Sequence, residues 1–145
     1  MRIILIFICL QQVISIMKNN RETIKKVLNY KNWAIVGLST NQDRPAFHVS
    51  KFLVDNGYKI FPVHPKGETV HGFKGYKSLS EIVQSGIQID VVDIFVNSDL
   101  AGAVVDEAIS IKAKAVWLQG NIYIYIYYII IITIIIIIDI RGRNR

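Results

Sequence analysis

The feature that most constrains the fold is the alternation of short apolar runs with segments of helical periodicity. Runs typical of strands buried in a parallel sheet occur at Trp33–Val36, Lys59–Val63, Val91–Val96 and Ala115–Gly120. Between them apolar residues recur at helical spacing, as in Ala101, Val104, Val105 and Ala108. Because strands that alternate with helices imply right-handed βαβ crossovers, the sequence predicts an α/β domain. We expect a doubly wound parallel sheet with helices on both faces, in three layers.

Composition limits the classes of function that the chain can have. Its 145 residues suffice for one domain of ordinary size, and a single cysteine excludes a disulfide framework. The three histidines have no metal-ligand spacing, so we predict no metal site. Half of the net charge of +6 comes from Arg2 and residues 139–145. The lysines of the rest of the chain are scattered along it. The sequence therefore predicts no nucleic-acid partner.

The first 16 residues are apolar and are set apart from the domain. Arg2 and the apolar run after it are typical of a weak signal peptide, but two glutamines interrupt the run and no small-residue cleavage site follows. We interpret residues 1–16 as an apolar leader or a spurious extension, with translation beginning at Met17 in the second case. The predicted domain then spans residues 17–121.

Residues 122–145 form a low-complexity tail of isoleucine and tyrosine with a basic end. As a helix, its apolar part would be about 25 Å long, at the short end of what crosses a membrane. Its β-branched, uncharged composition is also typical of aggregating strands. Alternating Tyr and Ile is, in addition, what a translated TA repeat would give. Three interpretations stay open: a translated repeat, a membrane segment over residues 122–138, or a core strand.

Candidate ligand-binding residues follow the predicted strands, because ligands of such sheets bind at the carboxyl ends of strands. Gly37 leaves the first strand and would let a phosphate approach the backbone, where the next helix begins. Ser39 adds a hydroxyl donor and Arg44 a cation. Both also have a structural interpretation, Ser39 as a helix cap and Arg44 as a solvated surface cation.

The same loops disfavour classical nicotinamide-dinucleotide binding. Gly37 is not followed by the further glycines of the G-x-G-x-x-G motif. The second strand ends in His64-Pro65-Lys66, where an acidic residue would be expected to bind the ribose hydroxyls. A lysine at this position suits an extra phosphate better than a free diol.

A set of short segments carries a family resemblance. They are Ala34–Ser39, Asp43–Pro45, Gly57-Tyr58, Pro62–Pro65, Asp90–Phe95, Val105–Ile109 and Lys114–Gln119. In this order, over residues 22–121, the set resembles the small CoA-binding domain family. That family is related to the nucleotide-binding domain of succinyl-CoA synthetase α subunits.

The resemblance implies a Rossmann-like domain that binds coenzyme A or an acyl-CoA, without evident catalysis of its own. Carried over residue by residue, it places Gly37, Ser39 and Arg44 at the phosphate end of the ligand. It places Pro65 and Lys66 beside the adenosine and its 3′-phosphate, and Phe95 and Val96 as a wall above the third strand. Leu38, Pro45 and His64 complete the predicted cofactor-binding set.

The sequence departs from the family in three places. His64 stands where the family usually has asparagine, and Lys112 stands where a glycine is common. The family's chain continues past Gly120 into another helix and a final strand, whereas this sequence has the Ile/Tyr tail. We therefore predict that the domain lacks its usual last helix and strand.

Two alternatives to CoA binding stay open. One is nucleotide binding of the NAD(P)-dependent oxidoreductase type, and the other is a membrane-tethered or defective truncated product. The predicted location is the cytoplasm, with membrane association or organelle targeting as the alternative. The sequence indicates no particular protein partner.

Overall fold

The computed structural model describes residues 21–118. Every strand of the described residues lies in one compact unit that begins at Lys25. The elements are α1 (Arg21–Leu28), β1 (Asn32–Val36), α2 (Pro45–Asp55), β2 (Lys59–Val63), α3 (Leu79–Gln84), β3 (Val91–Ile94), α4 (Ser98–Ser110) and β4 (Ala115–Leu118). The predicted alternation of strands and helices is thereby confirmed.

The four strands form one parallel sheet in the order β2-β1-β3-β4. Trp33 of β1 is in register with Ile60 of β2 on one side and with Val91 of β3 on the other. From β1 the chain therefore proceeds first to one side and then to the other. Right-handed crossovers put α2 on one face of the sheet and α3 and α4 on the opposite face. The doubly wound, Rossmann-like α/β fold is confirmed.

The core follows from the two-residue period of the strands. On the α2 face, Trp33, Ile35 and Ile60 are buried and pack with Leu53. On the opposite face, strand residues such as Val92 are buried beneath α3 and α4, whose own buried residues include Leu79, Ile82, Ala101, Val105 and Ala108. Because both faces of the sheet are covered, its strands are largely apolar without alternation, with the buried Asp93 of β3 as an exception.

Three helices begin at the carboxyl end of the sheet. Pro45 occupies the first turn of α2, where its missing N–H has no consequence. Ser78 caps α3 by accepting a hydrogen bond from the Glu81 N–H at 3.2 Å, and Asn97 caps α4 in the same way at Leu100. These starts direct three sets of backbone N–H groups toward one edge.

A turn in the connection between β2 and α3 makes contact with α2. His71 (φ 52°) and Gly72 (φ 80°) are both left-handed, as a two-residue type I′ turn requires, and Val70 and Phe73 exchange backbone hydrogen bonds across it. The turn places the His71 ring 4.5 Å from the Phe47 ring, with Nε2 3.0 Å from the Phe47 carbonyl oxygen. The residues after β2 are thus held in place by a contact well away from the strand itself.

Several predictions fall on residues that the structure does not describe. They are the leader over residues 1–16, the tail over residues 122–145, and the missing last helix and strand. Within residues 21–118, no helix has the length and apolar character needed to cross a membrane. The predicted location of the protein stays a prediction.

Candidate functional site

A cleft of about 1030 Å³ opens where the strands end. Its wall is formed by the loops after β1, β2 and β3 and by the starts of α2 and α4. All of the predicted cofactor-binding residues except one line it: Gly37, Ser39, Arg44, Pro45, His64, Pro65, Lys66, Phe95 and Val96. The exception is Leu38, whose side chain is fully buried in the core on the α2 face.

Phe95 and Val96 belong to the cleft because β3 is shorter than the sequence predicts. The apolar run continues to Val96, but the strand ends at Ile94. The Phe95 N–H donates to the Val36 carbonyl at 2.9 Å, the last backbone link between the two chain segments. Beyond that bond the chain turns away toward α4, and the two apolar side chains become the wall of the cleft rather than part of the sheet.

Gly37 lies where three strand ends meet. Its N–H donates to the Val63 carbonyl at 2.8 Å, and its φ of +92° suits glycine. A Cβ atom added here would lie 3.1 Å from the Phe95 carbonyl oxygen. The expected role was to leave room for a phosphate at the backbone. The structure adds a second reason for glycine, which is the fold itself.

Local hydrogen bonds order the loop after β1, and Arg44 lies at the end of this loop. The Ser39 hydroxyl accepts from the Asn41 N–H at 3.3 Å, so it caps a turn within the loop and not the first turn of α2. Arg44 follows at the N-cap position of α2 without a side-chain cap bond. Its guanidinium makes no hydrogen bond or ion pair with another residue of the range 21–118, and it faces the cleft.

Glu68 joins the loop after β1 to the loop after β2. Its carboxylate accepts hydrogen bonds from the N–H and the hydroxyl of Thr40, each at 3.2 Å. The Thr40 N–H, more than any other group, holds the pKa of Glu68 below its ordinary value, and the charges of Lys66 and His64 act in the same direction. The two loops that line the cleft therefore keep a fixed spacing.

His64 has a local structural role in that second loop. Its Nδ1 accepts a hydrogen bond from the Lys66 N–H at 3.2 Å. This fits the interpretation of His64 as a hydrogen-bonded loop residue, and it fixes the backbone beside the Lys66 side chain.

Sequence reasoning missed one side of the cleft. Leu100, Ala103, Val104 and Glu107 follow one another at helical spacing along α4 and line the cleft. The sequence groups Val104 with the buried face of the helix, but only its companions Ala101, Val105 and Ala108 are among the buried residues of α4. Asn41, Lys77, Ser78 and Asn97 also line the cleft and lie outside the predicted cofactor-binding set. A second row of apolar residues on α4, beside the buried row, was the feature of the sequence that could have predicted this side of the cleft.

The cleft lies at the topological switch point, beside β1, where ligands of doubly wound sheets bind. The sequence matches the family model described as the CoA binding domain over residues 31–127. The chain belongs to the CoA-binding domain family.

Relatives of this CoA-binding domain chain include small proteins and one much longer enzyme. It is 37% identical over 101 residues to the uncharacterized protein YneT of Bacillus subtilis, a match that covers 69% of this chain and 73% of YneT. A hypothetical protein from Pyrococcus horikoshii is 40% identical, with a TM-score of 0.66 and 72% of each chain covered. An ADP-forming acetate–CoA ligase of Methanocaldococcus jannaschii is 31% identical over 57% of this chain, but the match spans only 11% of the ligase.

Proposed function

We propose that this CoA-binding domain binds CoA or an acyl-CoA in the cleft and performs no reaction of its own. The observation that carries the proposal is the distribution of charge. Arg44, Lys66 and Lys77 line the cleft around the loop that leaves β1. CoA carries a diphosphate and a 3′-phosphate, so it needs cations at two places, one on each side of the ribose.

The diphosphate would bind at the loop after β1. Three features support this placement: the open backbone at Gly37, the N-terminus of α2, and the unengaged guanidinium of Arg44. Backbone N–H groups at a helix start attract anions, and a guanidinium forms strong charge-assisted hydrogen bonds with phosphate.

The 3′-phosphate would bind beyond the end of β2, between Lys66 and Lys77. An added Cβ at Gly67 would lie 3.5 Å from Cγ of Lys77, so the stem of this lysine runs along the loop that carries Lys66. Two lysines beside the ribose suit the phosphorylated ribose of CoA better than the free ribose diol of NAD.

The one serine–histidine contact within residues 21–118 does not provide an activated nucleophile. The Ser50 hydroxyl lies 3.1 Å from His71 Nε2, and both lie 3.0 Å from the Phe47 carbonyl oxygen. A neutral His71 with its proton on Nε2 would donate to the Phe47 carbonyl oxygen and could not accept a proton from Ser50 at that nitrogen. The contact also lies away from the residues that line the cleft, which supports a binding role.

Calorimetric titration of the full 145-residue chain with CoA, dephospho-CoA and NAD tests the proposal. We expect CoA to bind about tenfold or more tightly than dephospho-CoA, because the 3′-phosphate adds charge-assisted contacts. NAD should bind more weakly than CoA. Binding of NAD that equals or exceeds that of CoA would instead favour the oxidoreductase-type alternative.

A further inference from the structure

Two hydrogen bonds connect the loop after β1 with the loop after β2. The N–H and the hydroxyl of Thr40 both donate to one carboxylate oxygen of Glu68, Oε2, each at 3.2 Å. Within the described chain, these are the hydrogen bonds that link residues 38–44 with residues 64–68, since the backbone bond from Gly37 to Val63 lies at the strand ends. Beyond the strands, the spacing of the two loops therefore depends on the Thr40–Glu68 contact.

Each partner of this contact lies close in sequence to a cation of the cleft. Arg44 follows Thr40 by four residues, and local hydrogen bonds order the residues between them. Lys66 precedes Glu68 by two residues, and its N–H donates to His64 Nδ1 at 3.2 Å. Because each loop is ordered by its own bonds, a change at the contact would move Arg44 relative to Lys66.

The partners of the contact do not themselves belong to the lining of the cleft, whereas Arg44 and Lys66 do. Glu68 is ionised at neutral pH, because the Thr40 N–H above all holds the pKa of Glu68 below its ordinary value. Its negative charge would repel a phosphate beside Lys66, so the charge by itself opposes the binding of an anionic ligand. A favourable effect of Glu68 on binding must therefore come from the position of the loops.

We infer that the Thr40–Glu68 contact sets the spacing of two phosphate sites and thereby selects ligands whose phosphates bind both loops at once. The inference rests on the proposed binding of CoA, with the diphosphate at the loop of Arg44 and the 3′-phosphate beside Lys66. A ligand that binds at two places gains most when the protein already holds those places at the distance that the ligand spans. A ligand with only one of the phosphates gains nothing from the spacing. Thr40 and Glu68 are thus positioning residues and not ligand contacts.

The ratio of the affinities for CoA and dephospho-CoA measures this effect, because the two ligands differ only in the 3′-phosphate. Glu68→Ala and Glu68→Gln remove the same charge, but glutamine keeps an oxygen that accepts hydrogen bonds from Thr40. In calorimetric titrations of the full chain near neutral pH, we expect Glu68→Ala to lower the preference for CoA by about threefold or more. Glu68→Gln should leave the preference at or above that of the unmodified chain, since it keeps the acceptor and removes a repulsive charge.

Thr40 provides a second test that leaves the charge unchanged. Thr40→Val keeps the shape of the side chain but loses the hydroxyl that donates to Glu68, so the preference for CoA should fall by about twofold. Thr40→Ser keeps both donors and is the control in which the preference should persist. Because the contact is exposed, the melting temperatures of all four variants should stay close to that of the unmodified chain.

Two results would overturn the inference while leaving the binding of CoA intact. The same preference in Glu68→Ala as in Glu68→Gln would show that Glu68 acts only through its charge or not at all. An equal loss of affinity for CoA and dephospho-CoA in Glu68→Ala would show that the contact only keeps the loop after β1 folded. Failure of the unmodified chain to bind CoA would refute the proposed function, and this inference with it.

Discussion

Gly37 illustrates how one residue can serve the fold and a ligand together. Its place at the end of a predicted strand indicates a backbone that a phosphate can approach, and this much follows from the sequence. The nearness of the Phe95 carbonyl does not follow from it, because the two residues are brought together only when β1 pairs with β3. Loss of binding in a Gly37 variant would therefore not by itself identify a ligand contact.

Replacement of this glycine should reduce stability before it reveals anything about binding. We expect Gly37→Ala to lower the free energy of unfolding by about 2–3 kcal/mol, because the left-handed backbone is strained and the new methyl group crowds Phe95. Gly57→Ala is the matched control: its φ is +80°, but nothing lies within 4 Å of an added Cβ. That variant should lose only about 1 kcal/mol. Urea unfolding measures both, and equal losses would show that crowding at Phe95 has no effect.

Arg44 offers a separate test of ligand contact, because its side chain has no bond to the described part of the chain that a substitution would break. We expect Arg44→Ala to weaken CoA binding by about 1.5–3 kcal/mol without a change in melting temperature. Lys51→Ala removes a cation from the same helix, where it pairs only with the exposed Asp55, and should leave the affinity unchanged. If the two variants bind CoA equally well in a calorimetric titration, Arg44 is only a surface cation.

At the scale of elements, Asp90 joins three strands at the amino end of the sheet. Its Oδ2 accepts from the Asn32 N–H at the start of β1, and its Oδ1 accepts from Lys114 Nζ at 2.7 Å, just before β4. Burial acts to raise the pKa of Asp90, but the hydrogen bonds from Lys114 and Asn32 outweigh it and hold the pKa below its ordinary value. A lowered pKa in the folded state means that the ionised carboxylate stabilises the fold.

This contribution should be complete above the pKa of the unfolded chain and should disappear as the pH falls through the lower pKa of the folded one. Between about pH 6 and about pH 3, Asp90 should therefore account for about 1 kcal/mol of the loss in stability. Asp90→Asn should be less stable than the unmodified chain at the higher pH and should converge with it at the lower. Urea unfolding at the two pH values gives the comparison, with Asp106→Asn as the exposed control. A constant difference between the curves would mean that ionisation of Asp90 is not involved.

Periodicity predicted which elements form, but not which side of each faces a ligand. The four strands follow from local rules of spacing, although β3 ends two residues earlier than predicted. Val104 and Glu107 line the cleft, whereas the rules of spacing would place them at the edge of the core or in solvent. Their neighbours come from β1, from β2 and from the start of α3, and only the tertiary fold brings these together.

At the scale of the whole molecule, a ligand in the cleft would contact segments that follow three of the four strands. Binding of this kind stabilises the entire unit by mass action and not only the loops. At a CoA concentration about 100 times the dissociation constant, stability should rise by about 2.7 kcal/mol, which is a shift of roughly 10 °C in melting temperature for a domain of this size. Thermal melts of the full chain with and without CoA measure the shift. An unchanged melting temperature at saturation would mean that CoA binds outside the folded unit, and Arg44→Ala at the same concentration should show a smaller shift.

The central position of β1 also affects the order in which parts of the protein fold. As the chain is synthesised, β1, α2 and β2 emerge first, whereas the pairing of β1 with β3 joins residues such as Asn32 and Asp90 that are 58 apart in the sequence. Contacts between such distant residues close late, because a long loop must be ordered first. A half-made chain therefore carries the loops with Arg44 and Lys66 but lacks both the wall at Phe95 and the residues of α4 that line the cleft. A ligand that needs the whole cleft would bind only after β3 and α4 have joined the fold.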